Sequence, residues 1–429
     1  MSNVFEQGTM LDTVQGQKVR IERCISRGSR GVIYGVTVDG ERKLLRWFLP
    51  AEDLKEQWDR TMEKVQRGIS VRCAYWPEDL TEIGDGGFGY LTRLQIRDGK
   101  RMLDCASGAV TFSSFGEKIR LAVNLVRAFR KIHELGYCFN HNEMDIEFKP
   151  TDFSVLLTDT EAIVPIGTRL TVNGSPRYCA PEVVQEDFRP GIETDLYTLG
   201  IALMMLFCNC HPLEGRRCLV PILTPEAEQA LYIQTPVFLF DRENKDNRPH
   251  PMMHRGVESV WNALPGYMKE LFHRLFDQEG LRNPQGRPRE EEWLRVLCRM
   301  KNDHIRCSCG NEIYLSEQGS NPCRRCGKPL PKLARLVLPE YVMPVVKDRD
   351  LYRCQLGEWE FHKMLEKLAR VEESEKNHAV LCLKNTGSSD WTAYTPSGAE
   401  KTVKQGETVP ILHGIRVIVE GVELRIEAG

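Results

Sequence analysis

Residues 148–182, FKPTDFSVLLTDTEAIVPIGTRLTVNGSPRYCAPE, decide how this chain is read. Two apolar runs, 153–157 and 162–166, flank the turn residues Thr158, Asp159 and Thr160, and that alternation predicts a hairpin followed by a short loop and a second turn. The surrounding chain has 429 residues. One hydrophobic core stops growing near ~250 to 300 residues, so two or three domains are expected. A net charge of -2 and a pI of about 6.6 give no global basic field of the kind that nucleic acid attracts. The polar first stretch, MSNVFEQGTMLDTVQGQ, has no apolar centre followed by a cleavage site and does not read as a secretory signal. The most apolar run, 196–210, is broken by Tyr197, Thr198 and Asn209 and is too short to span ~30 Å of hydrocarbon. The 15 cysteines are mostly scattered, which fits reduced thiols better than a disulfide framework. A cytoplasmic protein without membrane contact is the expectation.

The end of the opening stretch, residues 174–182, resembles the GTPxYxAPE close of a protein-kinase activation segment, and its start resembles the DxKPxN catalytic loop. In that family a metal-binding Asn stands five residues beyond the catalytic Asp, and the Asp of Asp-Phe-Gly about thirteen further on. Laid on this sequence, the spacing gives Glu147, Asp152 and Pro165, with Ile166 and Gly167 completing Pro-Ile-Gly. Phosphoryl transfer needs divalent metal held by a carboxylate and a positioned base. Pro165 has neither charge nor backbone donor, so it cannot hold a metal. Glu147 is a carboxylate one methylene longer than Asp, and Asp152 can ligate a cation better than the Asn it would replace. These two are the catalytic candidates, with Asp145 the alternative base.

Residues 21–49 alternate as strand, turn, strand and a second hairpin. Gly28, Gly31 and Tyr34 resemble the kinase glycine-rich loop, with Ser26 at its first glycine, and KLLRWF resembles the VAIK strand with Arg46 at the lysine. Arg keeps the charge but is longer, planar and forked. A helix follows, with Leu54, Trp58, Met62 and Val65 at three- and four-residue steps. Glu63, with Glu56 second, is the expected partner of Arg46. Residues 88–94 resemble the hinge strand, where Thr92 and Arg93 would offer backbone groups to an adenine ring. The nucleotide-binding set that the resemblance implies is Gly28, Gly31, Ile33, Arg46, Glu63, Leu91 and Thr92.

Ile119, Val123, Val126, Phe129 and Ile132 mark a long helix stopped by Gly136, and His133 at its end reads as a packed histidine. The segment from Thr168 through Ala180 has 13 residues, short for an activation loop, and reads as a fixed brace. Residues 194–215 resemble the buried carboxyl-lobe helix, whose Asp195 would hydrogen-bond the catalytic-loop backbone. Glu182 and Arg287 match the family's buried pair. Cys208, Cys210, His211 and Cys218 end a core helix and read as buried groups rather than ligands. The kinase resemblance covers residues 18–300 or so.

Beyond it, Cys307, Cys309, Cys323 and Cys326 form C-x-C and C-x-x-C pairs, each followed by glycine, Gly310 and Gly327. Two close thiolate pairs can close a tetrahedron around zinc, and a four-cysteine set leaves no open position, so a structural zinc ribbon is expected. Arg324 and Arg325 between the second pair suit protein docking better than nucleic acid. From residue 336 short alternating strands predict an all-β sandwich. LKNTGSSDW with GETVPILHGIRVIV resembles the second half of a forkhead-associated domain, whereas residues 359–371 have a helical period. Asn385, Ser388 and Ser389 read as turn-formers.

The expected fold is α+β: a two-lobed kinase-like fold, then a small zinc ribbon and an all-β sandwich. The domains are an arm at 1–17, an amino lobe at 18–93, a carboxyl lobe at 94–302, the ribbon at 303–332 and the β-domain at 333–429. The leading functional reading is a pseudokinase, a signalling scaffold working through protein contacts with phosphoryl transfer weak or absent. The alternatives are an active atypical Ser/Thr kinase using ATP and Mg with Glu147 as base, and a nucleic-acid module at the ribbon. Bacterial multi-domain kinase-like proteins with phosphatase and adhesion-type partners share this module order, so a phosphatase or phosphoprotein partner is the expectation by analogy.

Overall fold

The computed structural model describes residues 5–28, 31–69, 71–94, 98–139, 144–169, 175–184, 189–220, 222–315, 322–375, 377–378 and 380–428. Two compact units divide the chain: residues 1–110, 127–202 and 232–234 form the first, and residues 111–126, 203–231 and 235–429 the second.

The first unit opens with an antiparallel sheet of β1 (Met10–Asp12), β2 (Lys18–Arg27), β3 (Gly31–Val38), β4 (Glu41–Phe48), β5 (Asp79–Leu80) and β6 (Phe88–Arg93), in the order β1-β2-β3-β4-β6-β5. The polar arm expected at 1–17 therefore contributes an edge strand, Met10 pairing with Arg20. Asp39 and Gly40, with φ of 49° and 84°, make the two-residue reversal between β3 and β4 that the right-handed strand twist favours. Helix α1 (Leu54–Gln66) lays Leu54, Trp58, Met62 and Val65 on Phe48, Leu80, Phe88 and Tyr90, as its period predicts.

After β7 (Lys100–Arg101) and α2 (Leu103–Ala106) comes α3 (Phe115–Glu134), of which residues 127–134 lie in the first unit. It buries Ile119, Val126, Phe129 and Ile132 and stops at Gly136, where φ is 80° and the N–H bonds the His133 carbonyl at 2.9 Å. Four short strands follow: β8 (Tyr137–Phe139), β9 (Ile146–Phe148), β10 (Val155–Leu157) and β11 (Ile163–Pro165).

The two apolar runs of the opening stretch become β10 and β11, but they do not pair with each other: β10 pairs with β9, and β11 with β8. The strong reversal is Lys-Pro-Thr-Asp-Phe-Ser rather than Thr-Asp-Thr. Phe153 takes φ of 59°, its N–H bonds the Lys149 carbonyl at 2.8 Å, and the Lys149 N–H bonds the Ser154 carbonyl at 3.0 Å. Helix α4 (Ile192–Cys208) follows, buried without a break from Thr194 through Cys208. Thr198 on α4 donates to the Tyr178 carbonyl at 3.1 Å and ties down the segment ending in Ala-Pro-Glu.

In the second unit, α5 (Pro225–Gln229), α6 (Val257–Ala263), α7 (Gly266–Phe276), α8 (Gln278–Arg282) and α9 (Glu290–Asp303) precede the hairpin β12 (His304–Arg306) and β13 (Glu312–Tyr314). Met268, Leu271, Phe272, Leu275 and Phe276 are buried as their period predicts. Arg287 is buried too, with 2% of its surface exposed.

The carboxyl end is β14 (Arg335–Val337), β15 (Val342–Pro344), β16 (Asp350–Tyr352), β17 (Lys367–Glu373), β18 (Leu381–Asn385), β19 (Trp391–Tyr394), β20 (Glu400–Val403), β21 (Thr408–Pro410), β22 (Arg416–Val419) and β23 (Val422–Glu427). One sheet runs β15-β14-β23-β22-β19-β20, the other β16-β17-β18-β21, and both feed one core around Trp391, Leu351, Leu383 and Val417. The helix expected over 359–371 is replaced by turns and strand β17. Phe361, Met364 and Leu365 pack on Leu294 and Cys298 of α9, while Leu368 and Val371 enter the sheet core, so one apolar series serves two surfaces. Asn385 is a turn-former: its amide donates to the Ser389 and Val403 carbonyls at 2.9 and 3.0 Å and its oxygen accepts the Gly387 N–H at 3.0 Å. Among the described residues no helix is long and apolar enough to cross a membrane.

Candidate functional site

Strand β4 carries Arg46 between Ile33 on β3 and Tyr90 on β6. Its guanidinium reaches the turn between β10 and β11, donating to the Thr158 carbonyl at 3.1 Å and lying 3.5 Å from a Glu161 carboxylate oxygen. Tyr90 donates to the same oxygen at 3.3 Å. Helix α1 sends a second cation to this turn. Lys64, 5% exposed, donates from Nζ to the Thr160 carbonyl at 2.7 Å. Burial pushes its pKa down from 10.5 to about 8, against the pull of Glu161 and Asp159. Asp159 shapes the turn itself, its Oδ1 accepting the N–H groups of Glu161 and Ala162 at 3.1 and 3.3 Å.

Glu63, the acid expected beside Arg46, turns the other way and pairs with Arg67 at 3.0 Å; Glu56 pairs with Arg60. The residue that α1 presents to the strand cation is thus a lysine. A buried lysine among Glu63, Arg60 and Arg67 has the sequence look of a solvated face. The available signal is Gln57, Thr61 and Lys64, a stripe of helical spacing beside the apolar one.

The remaining site candidates divide. Glu147 is half-buried in mid-strand on β9, opposite Leu156 on one side and Arg101 on the other. Asp152 closes the β9–β10 turn, Oδ1 accepting the Ser154 N–H at 2.9 Å and hydroxyl at 2.7 Å; these bonds lower its pKa. Pro165 ends β11 opposite Tyr137. Gly31 lacks a side chain for a reason internal to the sheet, because a Cβ there would stand 2.4 Å from the Trp47 carbonyl oxygen. Gly28 closes on Gly31 at 2.9 Å; Ser29 and Arg30 between them lie outside the described residues. Leu91 and Thr92 are strand residues of β6, paired with Leu45 and Leu44, with the Leu91 carbonyl also taken by the Glu78 N–H at 2.9 Å.

Asp195 fixes where the loop begins. It is 1% exposed, and its Oδ2 accepts the Phe139 N–H at 2.6 Å and lies 2.9 Å from His133 Nε2. His133 is therefore the packed histidine that its position predicts. In the family resembled, the aspartate at this position holds the catalytic-loop backbone; here Asp195 holds the backbone at Phe139, ahead of β9 and the β9–β10 turn. Asn140 through Glu143 lie outside the described residues. Just before β9, the Asp145 carbonyl accepts the Thr158 N–H at 2.9 Å and hydroxyl at 3.1 Å, which joins it to the turn that holds Asp159.

The second cluster lies in the second unit. The sulfurs of Cys307 and Cys326, and of Cys309 and Cys323, are 3.7 Å apart, and all four lie within 4.8 Å of one another. A tetrahedral metal with bonds of about 2.3 Å to sulfur separates its ligands by about 3.8 Å, so the thiols fit one ion. Gly310 and Gly327, with φ of 83° and 70°, allow each knuckle to turn back, their N–H groups bonding the Cys307 and Cys323 carbonyls at 2.8 Å.

No protein-family model matches this chain. Its curated relatives are protein kinases. Serine/threonine-protein kinase PknG of Mycobacterium leprae (strain TN) is 25% identical over 218 residues, 48% of this chain and 27% of that protein. Calcium-dependent protein kinase 9 of Oryza sativa subsp. japonica is 23% identical over 310 residues, 66% of this chain and 47% of the relative. A dual serine/threonine and tyrosine protein kinase of Apis mellifera is 21% identical over 224 residues, 48% of this chain and 22% of the relative. The chain spans less than half the length of these relatives. The mixed α and β architecture and these relatives fit a protein-kinase-like fold, with a four-cysteine cluster able to hold a metal.

Proposed function

We propose that this chain is a kinase-fold pseudokinase, a signalling scaffold acting through protein contacts with phosphoryl transfer weak or absent. One observation carries the reading: α1 delivers Lys64 to the place where an acid must pair with the strand cation for transfer to proceed in this fold. Two cations, Arg46 and Lys64, then converge on the 158–161 turn. With Asp195 holding the backbone at Phe139, Asp145 and Asp159 take the metal-holding positions, Asp159 lying 14 residues beyond Asp145 where the family spacing is about thirteen. Both are carboxylates, so ATP with magnesium remains a ligand of this site, and the deficiency lies in the base and in the cation pair. Glu147 makes a poor base from within a strand.

The reading also takes the four cysteines as a structural zinc ribbon over 303–332, residues 333–429 as a forkhead-associated-like sandwich, a cytoplasmic setting, and a phosphatase or phosphoprotein partner. Full-length protein with γ-labelled ATP, magnesium and a generic acceptor such as myelin basic protein is expected to transfer no label above buffer. Melting should still rise with ATP and magnesium together, by about 2.7 kcal/mol of stability at a hundredfold excess over Kd. Label transfer abolished by Asp159→Asn would overturn the pseudokinase reading.

A further inference from the structure

Two cations meet the 158–161 turn, and they differ in exposure. Lys64 is 5% exposed and turns its ammonium onto the Thr160 carbonyl at 2.7 Å, whereas 21% of the Arg46 side chain is exposed. Of the two, Arg46 is the one open to an incoming anion. It is held without the help of an acid: β4 pairs it with Ile33 and Tyr90, Nη2 donates to the Thr158 carbonyl at 3.1 Å, and the guanidinium lies 5.8 Å from the centre of the Tyr75 ring. An acid stands on it all the same. Glu161 brings Oε1 to 3.5 Å from Arg46 Nη1, and the Tyr90 hydroxyl donates to the same oxygen at 3.3 Å. Both contacts are long and fall on one oxygen, and 47% of the Glu161 side chain is exposed. An ion pair so open to water contributes little to stability, so the carboxylate can leave at small cost.

We propose that Glu161 is a built-in anion seated on Arg46 where a nucleotide phosphate would bind, so that it lowers the affinity of the site for nucleotides in proportion to their phosphate charge. This role rests on the proposed reading of the turn as a nucleotide site. The guanidinium fork has further N–H donors to offer a phosphate. A phosphate that shares the fork with Glu161 is brought within a few ångströms of a like charge, inside the distance at which salt screens. Asp159 adds to that field and is fixed in place, its Oδ1 accepting the Glu161 and Ala162 N–H groups at 3.1 and 3.3 Å. Lys64 does not restore the balance, because its ammonium is buried on a backbone carbonyl. A nucleoside, which carries no phosphate, escapes the repulsion.

The test is calorimetric titration of the full chain with adenosine, AMP, and ATP with magnesium, in the parent and in Glu161→Gln, which keeps the size of the side chain and an acceptor for Tyr90. Glu161→Gln should tighten ATP with magnesium about tenfold, tighten AMP less, and leave adenosine within about twofold. In an Arg46→Met background the same substitution should change ATP affinity less than about twofold, since the cation for which the two anions compete is gone. Unchanged or weaker ATP binding in Glu161→Gln would overturn the proposal and leave the nucleotide site standing, because Glu161 would then support Arg46 or hold the metal. A tenfold gain that persists without Arg46 would overturn it as well. Binding of none of the three ligands by either protein would remove the nucleotide site itself, and this role of Glu161 with it.

Discussion

Replacing Lys64 with methionine isolates the energetic consequence of turning a cation into the α1–turn contact. The Lys64 ammonium is 5% exposed and bonds one carbonyl, that of Thr160, at 2.7 Å, and burial lowers its pKa from 10.5 to about 8. At 1.36 kcal/mol per pH unit, that drop means the charged folded form carries a penalty of about 3 kcal/mol near neutrality. Between pH 8 and 10.5 the unfolded chain keeps the proton while the folded chain has released it. The unfolded state then binds more protons, so stability rises with pH across this window. Lys64→Met removes the penalty at every pH and orphans the Thr160 carbonyl, a loss of about 1 to 2 kcal/mol. The variant should therefore be more stable than the parent by about 1 to 2 kcal/mol at pH 7, and the parent should overtake it near pH 10. Urea unfolding of both proteins at pH 7, 8, 9 and 10 measures the gap. A gap that stays constant with pH would refute the reasoning, because it would mean that the ammonium is solvated in the folded protein.

Gly31→Ala tests what that glycine is for: a Cβ 2.4 Å from the Trp47 carbonyl should destabilise the sheet by about 1 to 3 kcal/mol in urea melts without nucleotide, whereas a glycine kept only for phosphate approach would leave stability unchanged. Cys309→Ser removes one corner of the thiol tetrahedron, and native mass spectrometry should show bound zinc falling from one per chain to none.

Periodicity made much of this fold legible. The stripes on α1, α3 and α7 and the alternation of β2 to β4 are local patterns set by which face is buried, and the cysteine spacing likewise closed a site within a few residues of chain. Pairing across distance was the part that composition could not carry. Lys149-Pro150 looked like the signature of a catalytic loop, and counting from it led to Glu147, Asp152 and Pro165. What the count could not see was that Phe153, not a glycine, takes a positive φ and folds residues 149–154 into a reversal between β9 and β10, with Asp152 in the turn, Glu147 in β9 and Pro165 in β11. The helix expected at 359–371 failed for a related reason. Apolar residues spaced three and four apart mark a helix only when they face one surface, and here they face two.

The Asp195 contact supplies a second measure, because it ties the chain at Phe139 rather than at a motif. A buried carboxylate held by a backbone N–H and a histidine is expensive to relocate, since leaving either partner behind orphans a buried polar group. The strands leaving Phe139 and returning at Ile163 are then paired by register, Phe139 opposite Ile163 and Tyr137 opposite Pro165. Between those ends the Thr158 N–H and hydroxyl both bond the Asp145 carbonyl, which ties the residue before β9 to the turn after β10. Asp145 and Asp159 lie in the two segments that those bonds join, with Arg46 and Lys64 closing on the 158–161 turn from the sheet and the helix. The strand cation Arg46 is met by the turn, at the Thr158 carbonyl and the Glu161 carboxylate, and helix α1 brings Lys64 rather than an acid to the same turn.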